Sequence, residues 1–185
     1  MKQPYPYKRI YVLGDHYAGK STLVARLLAL VDDGDINVSH VDQMTTVYRV
    51  IETSGMRYEL IDVKANALYF AYSCGDIARA ADLILMVYDA SSPDSMKMCE
   101  SLVESMADSF NTYMRINFVG NKCDLIPTRS STGNPVIKQL VSTKHPNYEI
   151  MGNMLMSSLD GRNVLTLSKA VKRLLGGKHS DLCFS

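Results

Sequence analysis

Residues Gly14-Asp15-His16-Tyr17-Ala18-Gly19-Lys20-Ser21 fit the pattern G-x-x-x-x-G-K-S. Those types at those positions suit a bound polyphosphate. The two glycines allow a tight path and close backbone approach. The N–H groups of such a loop, and of the helix behind it, point at phosphate oxygens. The Lys20 ammonium is expected to reach the β- and γ-phosphates. The Ser21 hydroxyl, followed by Thr22, is expected to ligate Mg²⁺, a hard cation that prefers oxygen. Asp62 ends the run Tyr58-Glu59-Leu60-Ile61. A carboxylate there can hold Mg²⁺ through a water, although alone it would read equally well as a turn cap. Asn121-Lys122-Cys123-Asp124 adds a base reader. The Asp124 carboxylate can accept from the N1–H and 2-amino donors of guanine. Adenine offers no such pair and would strand a buried charge, at a cost of about 2–5 kcal/mol. The Asn121 amide is expected to brace the loop and the Lys122 stem to lie along the base. Last, Ser157-Ser158-Leu159-Asp160-Gly161 can turn a backbone N–H toward the guanine 6-oxygen; by itself it reads as a plain strand-to-helix turn.

These residues need a scaffold that delivers them to one edge. Arg9–Leu13 reads as a buried strand. Lys20–Val31 reads as a helix, with Leu23, Leu27 and Leu30, and Val24, Leu28 and Val31, spaced three and four apart. Thr45–Glu52 and Met56–Asp62 read as a hairpin around Thr53-Ser54-Gly55. Leu83–Asp89 is an almost purely apolar run, as in a central parallel strand covered on both faces. Ser92 and Pro93 then open a helix as N-cap and first helical residue. Ile116–Gly120 and Tyr148–Met156 are further strands, and Asn163–Leu175 is a closing amphipathic helix. The order β-α-β-β-α-β-α-β-α-β-α predicts an α/β fold: a six-stranded, mostly parallel sheet with one antiparallel strand and helices on both faces. Ligands in such sheets bind at the carboxyl ends of the strands, where all four motifs fall. The stretch Ile126–Pro135 is turn-rich and reads as a surface loop.

The 185 residues suit one domain, taken as 8–176 between an N-terminal extension (1–7) and a short tail (177–185). A net charge of +1 gives no pull toward nucleic acid or acidic membranes. Cys74, Cys99, Cys123 and Cys183 form no C-x-x-C pair and read as free thiols of a reducing compartment, which places the chain in the cytoplasm. No apolar run approaches the ~20 residues of a membrane span.

The four motifs, in this order, resemble the Ras superfamily of small GTPases over roughly residues 8–175. Val119-Gly120-Asn121-Lys122-Cys123-Asp124-Leu125 and Met86-Val87-Tyr88-Asp89-Ala90, with Ser95 following, look most like the Rab branch, as does the last motif beside S-A-K-D-G-x-N-V. The resemblance implies a P-loop NTPase G domain that cycles between GTP and GDP with Mg²⁺ as a molecular switch, in trafficking or signalling. It also implies effectors, an exchange factor and an activating protein as partners, and a monomer. In that scheme Mg²⁺ and the γ-phosphate hold two loops that hydrolysis releases.

The chain departs from the family where chemistry is concerned. Asp62-Val63-Lys64-Ala65-Asn66 stands in place of D-x-x-G-Q. Ala65 replaces the glycine whose N–H meets the γ-phosphate. Asn66, at the position that orients the attacking water, has a shorter stem, and about 1 Å of misplacement costs ~10²-fold in rate. Slow hydrolysis is therefore expected. His16 and Tyr17 put bulk where small residues are usual and would crowd an arginine finger; a protonated His16 could instead touch phosphate. The switch residue that ligates Mg²⁺ falls on Ser39 by spacing, with Thr45 and Thr46 as alternatives. Between Ala18 and the strand that begins at Thr45 no Phe, Tyr or Trp stands to cover the guanine edge in the usual way. Cys183, third from the end, fits no prenylation pattern, so a lipid anchor is not expected. Two functions fit: a slow GTPase switch, or a hydrolysis-deficient adaptor stabilised by bound nucleotide. A translation-factor G domain would need D-x-P-G-H at the second loop. A kinase or ATPase is disfavoured by Asn121–Asp124.

Overall fold

The computed structural model describes residues 7–31, 34–64, 67–110, 112–126 and 146–176. Strand β1 (Lys8–Gly14) leads through the phosphate-type loop into helix α1 (Lys20–Leu28). Then follow β2 (Asp35–His40), β3 (Thr45–Ile51), β4 (Arg57–Val63) and α2 (Ala67–Ala80). The second half runs β5 (Leu83–Asp89), α3 (Pro93–Ser109), β6 (Met114–Asn121), a 3-10 turn (Cys123–Leu125), β7 (Tyr148–Leu155) and α4 (Val164–Gly176). The turn-rich stretch predicted from Ile126 lies, beyond that residue, outside the described residues, as do Ala65, Asn66, Cys183 and the tail. No helix among the described residues is long and apolar enough to cross a membrane.

The sheet has seven strands, in the order β2-β3-β4-β1-β5-β6-β7, rather than the expected six. The parallel core β4-β1-β5-β6-β7 is flanked by the antiparallel β3 and β2. The additional strand is β2. Its sequence alternates Ile36 and Val38 with Asn37 and Ser39, the two-residue period of a strand, but over only six residues. It lies at the sheet's outer edge, paired from Asp35↔Ile51 to His40↔Thr46.

Two apolar layers clothe the sheet. Leu23, Val24 and Leu27 of α1 and Val164, Leu167, Val171 and Leu174 of α4 pack on one face, against Ile10, Val12, Leu60 and Leu85. Ile77 of α2 and Met96, Cys99, Val103 and Met106 of α3 pack on the other, against Leu13, Ile61, Ile84 and Met86. Burial on both faces explains why β5 reads as a continuous apolar run: Leu83 through Val87 are fully shielded. The two-sided cover keeps the carboxyl ends of β1, β4, β5 and β6 in fixed register, so the loops leaving them start from a rigid platform.

Helix starts follow the sequence closely. Ser92 caps α3 by accepting from the Ser95 N–H (3.3 Å), with Pro93 in the first turn. The β3–β4 hairpin closes with the Glu52 N–H on Met56 O (2.9 Å) and the Gly55 N–H on Glu52 O (2.8 Å). Gly55 sits at φ +83°, a conformation that favours glycine. Helix α1 stops at Leu28, short of the expected Val31, and the chain unwinds through Ala29 and Leu30.

Candidate functional site

The loop from Gly14 to Ser21 is anchored beneath by β5. The Asp15 N–H donates to Val87 O (3.0 Å), and a Cβ on Gly14 would run into that same carbonyl. Gly19 takes φ +86° as the residue before α1, and a Cβ there would strike the Asn121 side chain. Both glycines are thus required by contact as well as by backbone angle. The buried Lys20 ammonium folds back on its own loop, donating to Asp15 O (2.6 Å) and Gly14 O (3.3 Å). Burial pushes its pKa below the ordinary lysine value, while the carboxylate of Asp62 works in the opposite sense. An anion in the loop would meet a poorly hydrated cation that now has only carbonyls as partners.

Ser21 and Asp62 meet directly. The Ser21 hydroxyl donates to Asp62 Oδ2 (2.6 Å), and Asp62 Oδ1 is buried with no hydrogen-bond partner among the described residues. A hydroxyl and an under-satisfied carboxylate side by side form a hard oxygen donor set, which suits Mg²⁺.

Asn121 ties three loops together. Its amide donates to Ala18 O (2.8 Å), and its Oδ1 accepts from the N–H and hydroxyl of Ser158 (2.8 and 2.9 Å). Asp124 lies in the 3-10 turn just beyond, and its Oδ1 too is buried without a partner among the described residues. Lys122 adopts φ +62° and turns its ammonium onto Asp89 Oδ2 (2.7 Å). Burial works against the Asp89 carboxylate, yet hydrogen bonds from Lys122 and Ser91 outweigh it and hold its pKa below the usual range. The loop after β7 closes on itself: the Asp160 N–H donates to Ser157 Oγ (3.2 Å) and the Gly161 N–H to Ser157 O (3.0 Å). Ser157 and Ser158 are buried, and Leu159 is exposed.

The predicted residues are thus assembled unequally. Gly14, Asp15, Ala18, Gly19, Lys20, Ser21, Asp62, Asn121, Asp124, Ser157, Ser158 and Leu159 lie on the loops and on the strand and helix ends beside them that these bonds join. Thr22 sits on the first turn of α1. His16 and Tyr17 touch ring to ring, with centroids 3.9 Å apart and planes tilted by 55°, and Tyr17 is 81% exposed at φ +60°. Ser39 is not brought in. Partners directly opposite in an antiparallel ladder share a face, and the Asp62 rung runs through Thr46 to His40, not Ser39. Ser39 lies on the rung of Val47 and Ile61, on the opposite face of the sheet from Asp62. Of the alternatives, Thr46 shares the Asp62 rung but lies 3.2 Å from His40 Nδ1 through its hydroxyl, while Thr45 lies opposite Val63. The catalytic candidate Asn66 lies outside the described residues.

Two participants escaped the sequence reading. Asp89 ends a strand at the site's edge, the same signal that marked Asp62, and could have been found. Arg26, on α1, gave no local signal, because its partners Ser158 O and Leu159 O are more than a hundred residues away.

The sheet and its loops define the class: the fold is that of the P-loop GTPases. The Ras family profile matches residues 9–171, and the chain belongs to the Ras family. Among curated proteins, the chain is 24% identical over 189 residues to the GTPase HflX of Hyperthermus butylicus, covering 94% of the chain and 48% of that protein. It is 27% identical over 179 residues to the Ras and EF-hand domain-containing protein homolog of Caenorhabditis elegans, covering 90% of the chain and 26% of that protein. The chain therefore spans at most about half the length of these relatives. Two solved structures share the fold. One is Methanosarcina barkeri Roco2 RocCORdC bound to GDP (TM-score 0.63, 21% identity, 97% of this chain and 52% of that one). The other is elongation factor SelB of Methanococcus maripaludis with the GTP analogue GppNHp (TM-score 0.64, 17% identity, 95% of this chain and 35% of that one).

Proposed function

We propose that the chain binds GTP and GDP with Mg²⁺ and works as a slowly hydrolysing, Rab-like switch in intracellular trafficking or signalling. The observation that carries the guanine assignment is the buried Asp124 oxygen that lacks a donor among the described residues. A buried carboxylate oxygen without a donor is costly, and a purine with N1–H and a 2-amino group satisfies it. Lys20 and the loop N–H groups would hold the phosphates, while Ser21 and Asp62 would hold Mg²⁺. When bound, the metal would offset negative charge on the phosphates. The chain's own part is to orient the phosphates, and Asn66 is the candidate for orienting the attacking water. Its short stem supports slow turnover.

A second reading, an adaptor that binds nucleotide without turning it over, draws support from Ser39. While β2 stays in the sheet, that hydroxyl lies across from Ser21 and Asp62. The nucleotide retained through purification, identified by mass, tests the assignment: GDP supports a working cycle, GTP supports the adaptor, and an adenine nucleotide sinks both. Single-turnover hydrolysis then separates the two readings. An Asn66→Gln variant that gains roughly tenfold or more supports an attenuated switch. A native rate equal to that of ordinary Rab proteins would overturn slow hydrolysis.

A further inference from the structure

Helix α1 carries a residue that, among the described residues, bonds through its side chain to the loop after β7. Arg26 Nε donates to Ser158 O (2.8 Å), and a terminal nitrogen of the same guanidinium donates to Leu159 O (2.7 Å). The fork of one planar group thus takes two successive carbonyls, a geometry a flexible ammonium cannot reproduce.

The amides of that loop have distinct fates. The Ser157 N–H goes to Arg162 O, the Ser158 N–H to Asn121 Oδ1, the Asp160 N–H to Ser157 Oγ and the Gly161 N–H to Ser157 O. The Leu159 N–H, facing out of this network, has no acceptor among the described residues. The Leu159 N–H belongs to the same peptide unit as the Ser158 carbonyl that Arg26 holds. The Ser158–Leu159 peptide is trans, and in a trans peptide the N–H points opposite to the carbonyl. Pulling Ser158 O toward α1 therefore turns the Leu159 N–H away from α1. The neighbouring unit is pinned as well, by Arg26 on its carbonyl and Ser157 on its N–H. The peptide cannot flip without breaking a charge-assisted bond.

We infer that Arg26 is a positioning residue for base recognition: it holds the Ser158–Leu159 peptide so that the Leu159 N–H is presented to the 6-oxygen of guanine. The inference rests on the guanine reading above and extends it from the loop to the helix behind it. The same helix begins at the phosphate loop, so one rigid element registers both ends of the nucleotide.

The test pairs two ligands with three full-length proteins. The ligands are GDP and 2-aminopurine riboside 5′-diphosphate, which keeps the 2-amino group but lacks the 6-oxygen. It also lacks the N1–H, a difference common to all three proteins that cancels in the ratio. The proteins are the native chain, Arg26→Ala and Arg26→Lys. Arg26→Ala is expected to weaken GDP about 10-fold, mainly through faster release, and the analogue by less than about 2-fold, so the preference for GDP shrinks. Arg26→Lys, able to reach one carbonyl, should fall between. Equal weakening of both ligands, or of neither, would overturn the inference: the first outcome means Arg26 only supports the fold. If the native chain shows no preference for GDP over the analogue, the guanine reading fails and this inference fails with it. An intact preference in Arg26→Ala, by contrast, rejects the role of Arg26 alone.

Discussion

The two ends of the cleft are built differently. At the base end, Asn121, Ser157, Ser158, Asp160 and Arg26 are joined by direct bonds between side chains and loops, and little has to move before a ligand enters. At the metal end only Ser21 and Asp62 meet, and Ser39 is held across the sheet. The lesson is one of division of labour. A preassembled base pocket lowers the ordering cost of binding and favours retention. Under the proposed function, a metal end that recruits Ser39 would need β2 to leave the sheet, a conformational choice that a ligand can bias only through its differential affinity for the two arrangements.

The strongest challenge to the preassembled end is Asp124→Asn. Replacing the acceptor oxygen by a donor amide should lower GDP affinity by about 10²-fold or more, read by calorimetric titration. A loss under about tenfold would mean the base is held elsewhere.

The metal end is tested by exchange and by Ser39→Ala. If Ser39 rather than Thr45 or Thr46 is the switch ligand, the β2 amides should exchange at least about tenfold faster with Mg²⁺ and a nonhydrolysable GTP analogue than with GDP, because Ser39 lies on the opposite face from Asp62 while β2 is paired. Ser39→Ala should then weaken Mg²⁺ binding with the analogue by roughly tenfold and leave the GDP form unchanged. Equal protection of β2 with both nucleotides would favour the adaptor reading.

The smallest expected effect concerns the Asp89–Lys122 pair, half-sheltered at the base end. The folded-state pKa of Asp89 is lowered, so its stabilisation is fully present above the unfolded-state value and is lost as pH falls through the folded one. Asp89→Asn should cost about 1 kcal/mol in urea unfolding at neutral pH, and the difference from the native chain should close as pH falls below the ordinary aspartate range. A difference that persists at lower pH would mean the side chain acts through packing rather than charge.

Much of this was legible in the residues because it depends on local pattern. Gly14, Gly19, Lys20 and Ser21 announce a loop whose geometry the backbone itself enforces, and the apolar run Leu83–Val87 announces the strand beneath it. The Asn121 motif also declared itself, although its bonds to Ala18 and Ser158 join distant segments. The β2 strand did not. Ile36 and Val38 alternate as a strand should, but both remain partly exposed, and what holds β2 is pairing with β3, a tertiary fact. Placing Ser39 by spacing assumed a loop there. In a strand, adjacent residues point to opposite faces, so one position separates the Asp62 rung from its opposite. Arg26 was invisible for a related reason: nothing within its own helix distinguishes it from a solvated basic residue.

The outer row of β3 backbone groups has room for a single strand. While β2 fills it, no outside chain can extend the sheet there; were β2 to leave, Tyr48 and its neighbours in β3 would become the new margin, with the amides and carbonyls that now pair with β2 exposed. A protein that offers its own extended segment to that margin competes with β2 for the same hydrogen bonds. Occupancy is then exclusive by geometry alone, and such a guest would keep the displaced segment from returning for as long as it stayed.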